Sequence, residues 1–178
     1  NLKQIPLLGN CITALLVAIS IAVIALFDIF PATDISNKVR MSEVFGILID
    51  YAVLGFGLTL IKELLRDLKN RATDDMLGNN TVVTRFGLNK AKSLLGVIII
   101  VVLGAILYYC NTFLFELTIA LSFILLTMVG PLLFMGIKLI TSTTQKEFAL
   151  LERTLQVVLF CSILSVAVIV YTLSLIHI

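Results

Sequence analysis

Five long apolar runs, at about 7–28, 44–62, 91–110, 113–139 and 154–172, constrain this chain more than any other feature of it. Crossing the hydrocarbon core of a bilayer takes roughly 20 residues of helix, and each run is about that long. Strands of an outer-membrane barrel are ~10-residue segments of alternating polarity, and these runs are both longer and unbroken. In lipid no water is present to satisfy backbone N–H and C=O groups, which leaves the helix as the element that satisfies its own. The expected fold is an all-α membrane protein with five transmembrane helices. A hydrophobic fraction of 60% and a mean hydropathy of +1.11 agree, since soluble domains are near half apolar.

Lysine and arginine set the orientation. Lys3 precedes the first run, and the second and fourth connections carry Lys62, Arg66, Lys69, Arg71, Arg85, Lys90, Lys92, Lys138, Lys146 and Arg153. The first connection has only Lys38 and Arg40, and the third has neither residue type. Cations concentrate on the cytoplasmic side of membrane proteins. The expected location is therefore integral and multi-pass, in the bacterial inner (plasma) membrane, with residues 63–90 cytoplasmic and 29–43 outside. A net charge of +2 is too small to argue for nucleic acid as a partner. Cys11, Cys110 and Cys161 lie in or at the ends of spans, with no metal or disulfide spacing, and read as small packing residues. No Ser-His-Asp, Cys-His, P-loop or GxGxxG pattern is present.

Charge is scarce, at 13% of residues, yet it crowds into residues 62–75 at the tail of the second run. Glu63, Asp67, Asn70 and Asp74 fall at i, i+4, i+7 and i+11, which lines four oxygen-bearing side chains along one helix face. Lys62, Arg66 and Lys69 form a cationic stripe beside them. Two readings of the spacing stand open. One is a solvated helix end held by pairs such as Glu63–Arg66 and Asp67–Arg71. The other is a magnesium–diphosphate site, because carboxylates hold a hard cation and the cation with Lys or Arg neutralises phosphate oxygens.

The same stretch, continued to Lys92, resembles the second aspartate-rich region of the UbiA superfamily of intramembrane prenyltransferases. The residues that carry the likeness are Lys62-Glu63, Arg66-Asp67, Asn70, Asp74, Gly78, Thr81 and Gly87-Leu88-Asn89-Lys90-Ala91-Lys92. The opening Leu2-Lys3-Gln4-Ile5-Pro6-Leu7-Leu8-Gly9-Asn10 is similar to the approach to that family's fifth helix. Within the family the nearest group is geranylgeranylglycerol-phosphate geranylgeranyltransferase-like. The resemblance implies that residues 1–172 are the C-terminal part of a prenyltransferase domain, helices five to nine of a nine-helix bundle. It implies transfer of a prenyl group from a prenyl diphosphate to a lipophilic acceptor within the membrane. Mg²⁺ would be held by Glu63, Asp67, Asn70 and Asp74, with Asp67 and Asp74 essential to catalysis and Lys62, Arg66 and Asn70 binding the diphosphate. The missing N-terminal helices would be a partner in the site. They carry that family's first motif, Asn-Asp-x-x-Asp-x-x-x-Asp, which nothing here matches, so the chain alone is expected to be inactive. Two departures stand out. Asn70 occupies a position where the family usually has Asp, which removes a negative charge from the cation site. The loop after Thr81 reads Val-Val-Thr-Arg-Phe-Gly where Leu-Pro and an aliphatic pair are common.

The ends of the chain carry expectations of their own. Residue 1 is Asn, and the chain opens on a short polar segment, as the middle of a longer protein would. Leu173-Ser174-Leu175-Ile176-His177-Ile178 is what CTG TCT CTT ATA CAC ATC encodes, which resembles a transposon end used in sequencing adapters. Residues 173–178, with the chain's single histidine, are expected to be an adapter artefact.

Several other residues stand out. Asp50, near the middle of the second run, is a functional candidate as an intramembrane carboxylate, but it lies roughly 20 Å along the helix from Glu63. A lumen-facing or interface role is favoured. Glu116 follows an expected Asn111-Thr112 turn as a helix N-terminal charge. Gly130-Pro131 is expected to kink the fourth run. Asn10 is read as hydrogen-bonding a neighbouring helix, with a substrate role as the alternative. Tyr108 and Tyr109 read as interfacial anchors. The alternative function is a transporter or channel component with residues 62–75 as a cytoplasmic gate. Against it, no pair of broken spans repeats across two halves.

Overall fold

The computed structural model describes residues 6–176, with side chains placed from residue 7 to 172. The segment 1–5, which includes Lys3 and the first part of the fifth-helix resemblance, lies outside the described residues, as do His177 and Ile178. Among the described residues there are helices and no strand. Five helical stretches are long and apolar enough to cross a membrane: Leu7–Ile29, Lys38–Met76, Leu88–Phe113, Thr118–Thr141 and Gln145–Thr172.

Helix α1 (Pro6–Ile24) continues through a π turn at Ala25–Ile29 and then reverses over residues 30–37. Helix α2 (Lys38–Met76) has 39 residues and is therefore ~58 Å long, almost twice the ~30 Å hydrocarbon core. Hydropathy finds only its apolar part, 44–62. The charged part does not break the helix, because Lys, Glu, Arg and Leu are good helix formers. A left-handed Gly78, φ +68°, turns the chain out of α2. The short α3 (Val82–Phe86) starts at a reciprocal cap in which Thr81 and Thr84 each accept from the other's backbone N–H. Gly87, φ +83°, separates it from α4 (Leu88–Phe113). Gly78, Thr81 and Gly87 thus all have a local geometric job.

Asn111 and Thr112 are helical, and the reversal instead covers residues 114–117, with Glu116 inside the turn. The next span is α5 (Thr118–Ile124), a π turn at Leu125–Val129 and α6 (Gly130–Thr141). Pro131 has no N–H to give the carbonyl four residues back, and the Gly130 N–H reaches the Leu125 carbonyl, five back. The widened turn is the local response to proline. Helix α7 (Gln145–Ile176) begins at a capping box, the Thr144 hydroxyl accepting from the Glu147 amide and the Glu147 carboxylate from the Thr144 amide. Glu147 Oε2 accepts from the Thr143 and Thr144 amides at 2.8 and 3.0 Å.

α2 is the organising element. It packs on α1, α3, α4 and α7. Leu58, Ile61, Leu64, Leu65 and Leu68 fill the core with Leu95 and Ile99 of α4 and Leu151 and Leu155 of α7. Two polar ties join α2 to α7. Tyr51 Oη meets Ser165 Oγ at 2.6 Å, and Lys69 Nζ donates to Glu152 Oε2 at 2.6 Å.

Candidate functional site

Gly57 sets the register of α2 against α4. A Cβ there would stand 2.7 Å from Val102 Cγ2, so the helices approach where a side chain is missing. The helices run antiparallel. Counting about ten residues, or ~15 Å, toward the α2–α3 end puts Asp67 level with Lys92. Counting about seven the other way puts Asp50 level with Tyr109. Asp50 therefore lies beside the C-terminal end of α4 rather than near the middle of the bundle. Asp50 and Tyr109 are exposed and half-buried and line the same end of an apolar groove of about 440 Å³ between α2 and α4.

Along α2 the acid-bearing face behaves as its spacing requires. Glu63 and Asp67 are buried, at 4% and 7% exposure. Asn70 and Asp74 are half-buried as the stripe runs out toward the α2–α3 loop. Asp74 is held there by the side-chain amide of Asn79, which donates to Oδ1 at 3.0 Å. The stripe continues inward as Leu60, Phe56 and Val53, at the same three- and four-residue spacing, and these three line the groove. The acids and one wall of the apolar groove thus share one helix face.

Asp67 takes no arginine. Asn10 of α1 donates from Nδ2 to Asp67 Oδ2 at 2.8 Å, and both residues are buried. Asn10 is thus a helix-to-helix hydrogen-bond partner, and its partner is the central acid of the stripe. The expected pairing of Asp67 with Arg71 is not made, and Arg71 is exposed. Glu63 does pair with Arg66 of its own helix, whose side chain is 52% exposed. The contact is made by the buried Oε2; it is close but not a directed hydrogen bond, so the guanidinium is that oxygen's one partner among the described residues.

The cations divide by role. Lys69 is engaged by Glu152 of α7. Lys62 is half-buried and makes no ion pair among the described residues. Lys92 belongs to the scaffold. Its Nζ donates to the Ile140 and Ser142 carbonyls, both at 2.8 Å, and so closes the C-terminus of α6. No three His, Cys, Asp or Glu side chains among the described residues converge as a self-sufficient metal cage. Two buried carboxylates on one face can supply at most part of a cation's shell. Mg²⁺ is commonly held this way, by one or two carboxylates with the rest from water and substrate phosphates.

Comparison with family models, with curated proteins and with solved structures finds no match. Fold and site define an all-helical protein with five helices able to cross a membrane and a buried acidic face at one end of the longest.

Proposed function

We propose that this chain is the C-terminal part, helices five to nine, of a UbiA-type membrane prenyltransferase. It would transfer a prenyl group from a prenyl diphosphate to a lipophilic acceptor in the bilayer of a bacterial inner membrane, with residues 63–90 cytoplasmic. The observation that carries the reading is the buried Glu63–Asp67 face, two carboxylates drawn into the bundle on one side of α2. Two carboxylates enclosed by the bundle one helical turn apart fit a cation site better than a solvated helix end, which would leave both in water. A bound Mg²⁺ would supply neutralisation of the charge that develops on the diphosphate as its C–O bond breaks.

This chain's own residues have separate parts in that reading. Glu63, Asp67 and Asp74 present carboxylates, with Asn70 as an uncharged ligand between them. Lys62 and Arg66 stand beside that face as diphosphate partners. Val53, Phe56 and Leu60 carry the same helix face on as the wall of an apolar groove, which suits a hydrocarbon chain and keeps water from a reactive allylic carbon.

In the full-length protein, Asp67→Ala and Asp74→Ala are each expected to lower Mg²⁺-dependent transfer by on the order of 10² or more, with insertion intact. Asn70→Asp is expected to keep activity or raise it. A membrane assay with labelled geranylgeranyl diphosphate and a panel of lipid and phenolic acceptors measures this. Unchanged transfer in both alanine variants would remove the reading and leave the stripe as a helix end.

A further inference from the structure

The bond between Asn10 and Asp67 joins residues 57 apart in the chain, and both are more than nine-tenths buried. A buried carboxylate needs compensation. A lysine or arginine would supply it by cancelling the charge. Asn10 supplies part of it with a neutral amide, so Asp67 is oriented without a cation bound to that oxygen. The amide occupies Oδ2 alone. No other hydrogen bond reaches the Asp67 carboxylate among the described residues, so Oδ1 remains open to a further partner. One turn away on the same face, Glu63 is buried too, with Oε2 against the guanidinium of Arg66. An amide holding one oxygen of a carboxylate while the other faces outward is the arrangement that fixes metal-binding carboxylates in place.

From this juxtaposition we infer that Asn10 is a positioning residue. It holds the Asp67 carboxylate aimed, with Glu63, at a divalent cation that carries a diphosphate. The inference rests on the prenyltransferase reading above and assigns α1 a part in a site that the motif places on α2 alone.

The test uses the full-length protein in lipid nanodiscs, with Mn²⁺ and inorganic diphosphate as the probe, read by electron paramagnetic resonance beside thermal stability. Asn10→Leu removes the donor at similar volume and is expected to weaken Mn²⁺ binding 10–100-fold, with prenyl transfer falling in parallel. The exchanged pair, Asn10→Asp with Asp67→Asn, keeps an amide–carboxylate bond between the helices but moves the charge to α1. It is expected to restore stability to the wild-type value while Mn²⁺ binding stays weak. Wild-type Mn²⁺ affinity in Asn10→Leu would make Asn10 a helix pin only and leave the prenyltransferase reading standing, whereas its recovery in the exchanged pair would show that a carboxylate at Asp67 is not needed and overturn the inference. Absence of Mn²⁺ binding in the wild-type protein would overturn that reading and this inference together. If Asn10→Leu fails to insert, Asn10→Ala takes its place, with the same loss of Mn²⁺ binding expected and wild-type affinity overturning the inference.

Discussion

The two halves of α2 follow opposite rules. From Lys38 to Gly57 the helix holds most of its apolar run, yet much of it is open, with Val39 at 76% and Val53 at 64% exposure. From Leu58 to Met76 it holds most of its charge, yet its acids include the buried charged side chains among the described residues, Glu63 at 4% and Asp67 at 7% exposure. A water-soluble helix would show the reverse. Lipid accepts apolar side chains without penalty, so a membrane helix has little reason to hide them. It hides what needs protein around it. In α2 that is the polar face, and the neighbours that enclose it are the start of α1, α3 and the adjoining ends of α4 and α7.

This contrast gives its largest expected effect in side-chain truncation. Leu64 is 1% exposed and sits among the core leucines of the charged half. Leu64→Ala should cost about 2–5 kcal/mol, through lost contacts and the cavity left behind. Val53→Ala, on the open half, should fall within about 0.5 kcal/mol of zero. Reversible unfolding in bicelles measures both. Similar losses at the two positions would show that the apolar half is as tightly packed as the charged one, and the comparison would fail.

The second test works at the boundary between the halves. At Gly57 a methyl group would stand 2.7 Å from Val102 Cγ2. Gly57→Ala should destabilise by about 1–3 kcal/mol as α2 and α4 are forced apart. Val102→Ala, which removes the opposing methyl groups, should recover part of that loss in the double variant, a coupling that distant sites would not show. Additive losses would mean that the helices do not meet at Gly57.

These contrasts also mark what could be read from residue order. The five helices were legible, because apolar runs of bilayer length leave the backbone one way to satisfy itself. The extension of α2 past 62 was not, since hydropathy falls there while helix propensity does not. The shared face of Glu63, Asp67, Asn70 and Asp74 followed from helix periodicity, and burial falls along it from Glu63 to Asp74. Its rotation relative to other helices did not follow, because periodicity places residues around one axis and says nothing of which neighbour they meet. Asn10 was therefore legible as a residue in want of a partner and illegible as the partner of Asp67. Asp50 shows the same limit along the axis. Counted within its own run it is central, and only the antiparallel register at Gly57 and Val102 brings it level with Tyr109. Lys92, part of the motif by sequence, proves to close α6 because that role depends on carbonyls 48 and 50 residues away.

The smallest expected effect on stability is the most informative about the charged half. Glu63→Gln keeps the shape of the side chain and removes its charge. The ionised group loses solvation on burial, with Glu63 only 4% exposed, which destabilises the fold. Its ion pair with Arg66 offsets this only weakly, since the guanidinium is on the same helix and its side chain is 52% exposed, where solvent screens the attraction to about 1 kcal/mol or less. The two effects oppose each other, and the net change should lie within about 1 kcal/mol of zero, measured by the same unfolding in bicelles. The same variant should lose prenyl transfer in the full-length protein. A residue whose charge adds nothing to stability but is required for transfer is held there by chemistry. If Glu63→Gln instead costs as much as Leu64→Ala, the ion pair with Arg66 is holding the helix end together. The acids of the inner half would then be buried for the sake of the bundle, and the difference between the two halves of α2 would be one of packing alone.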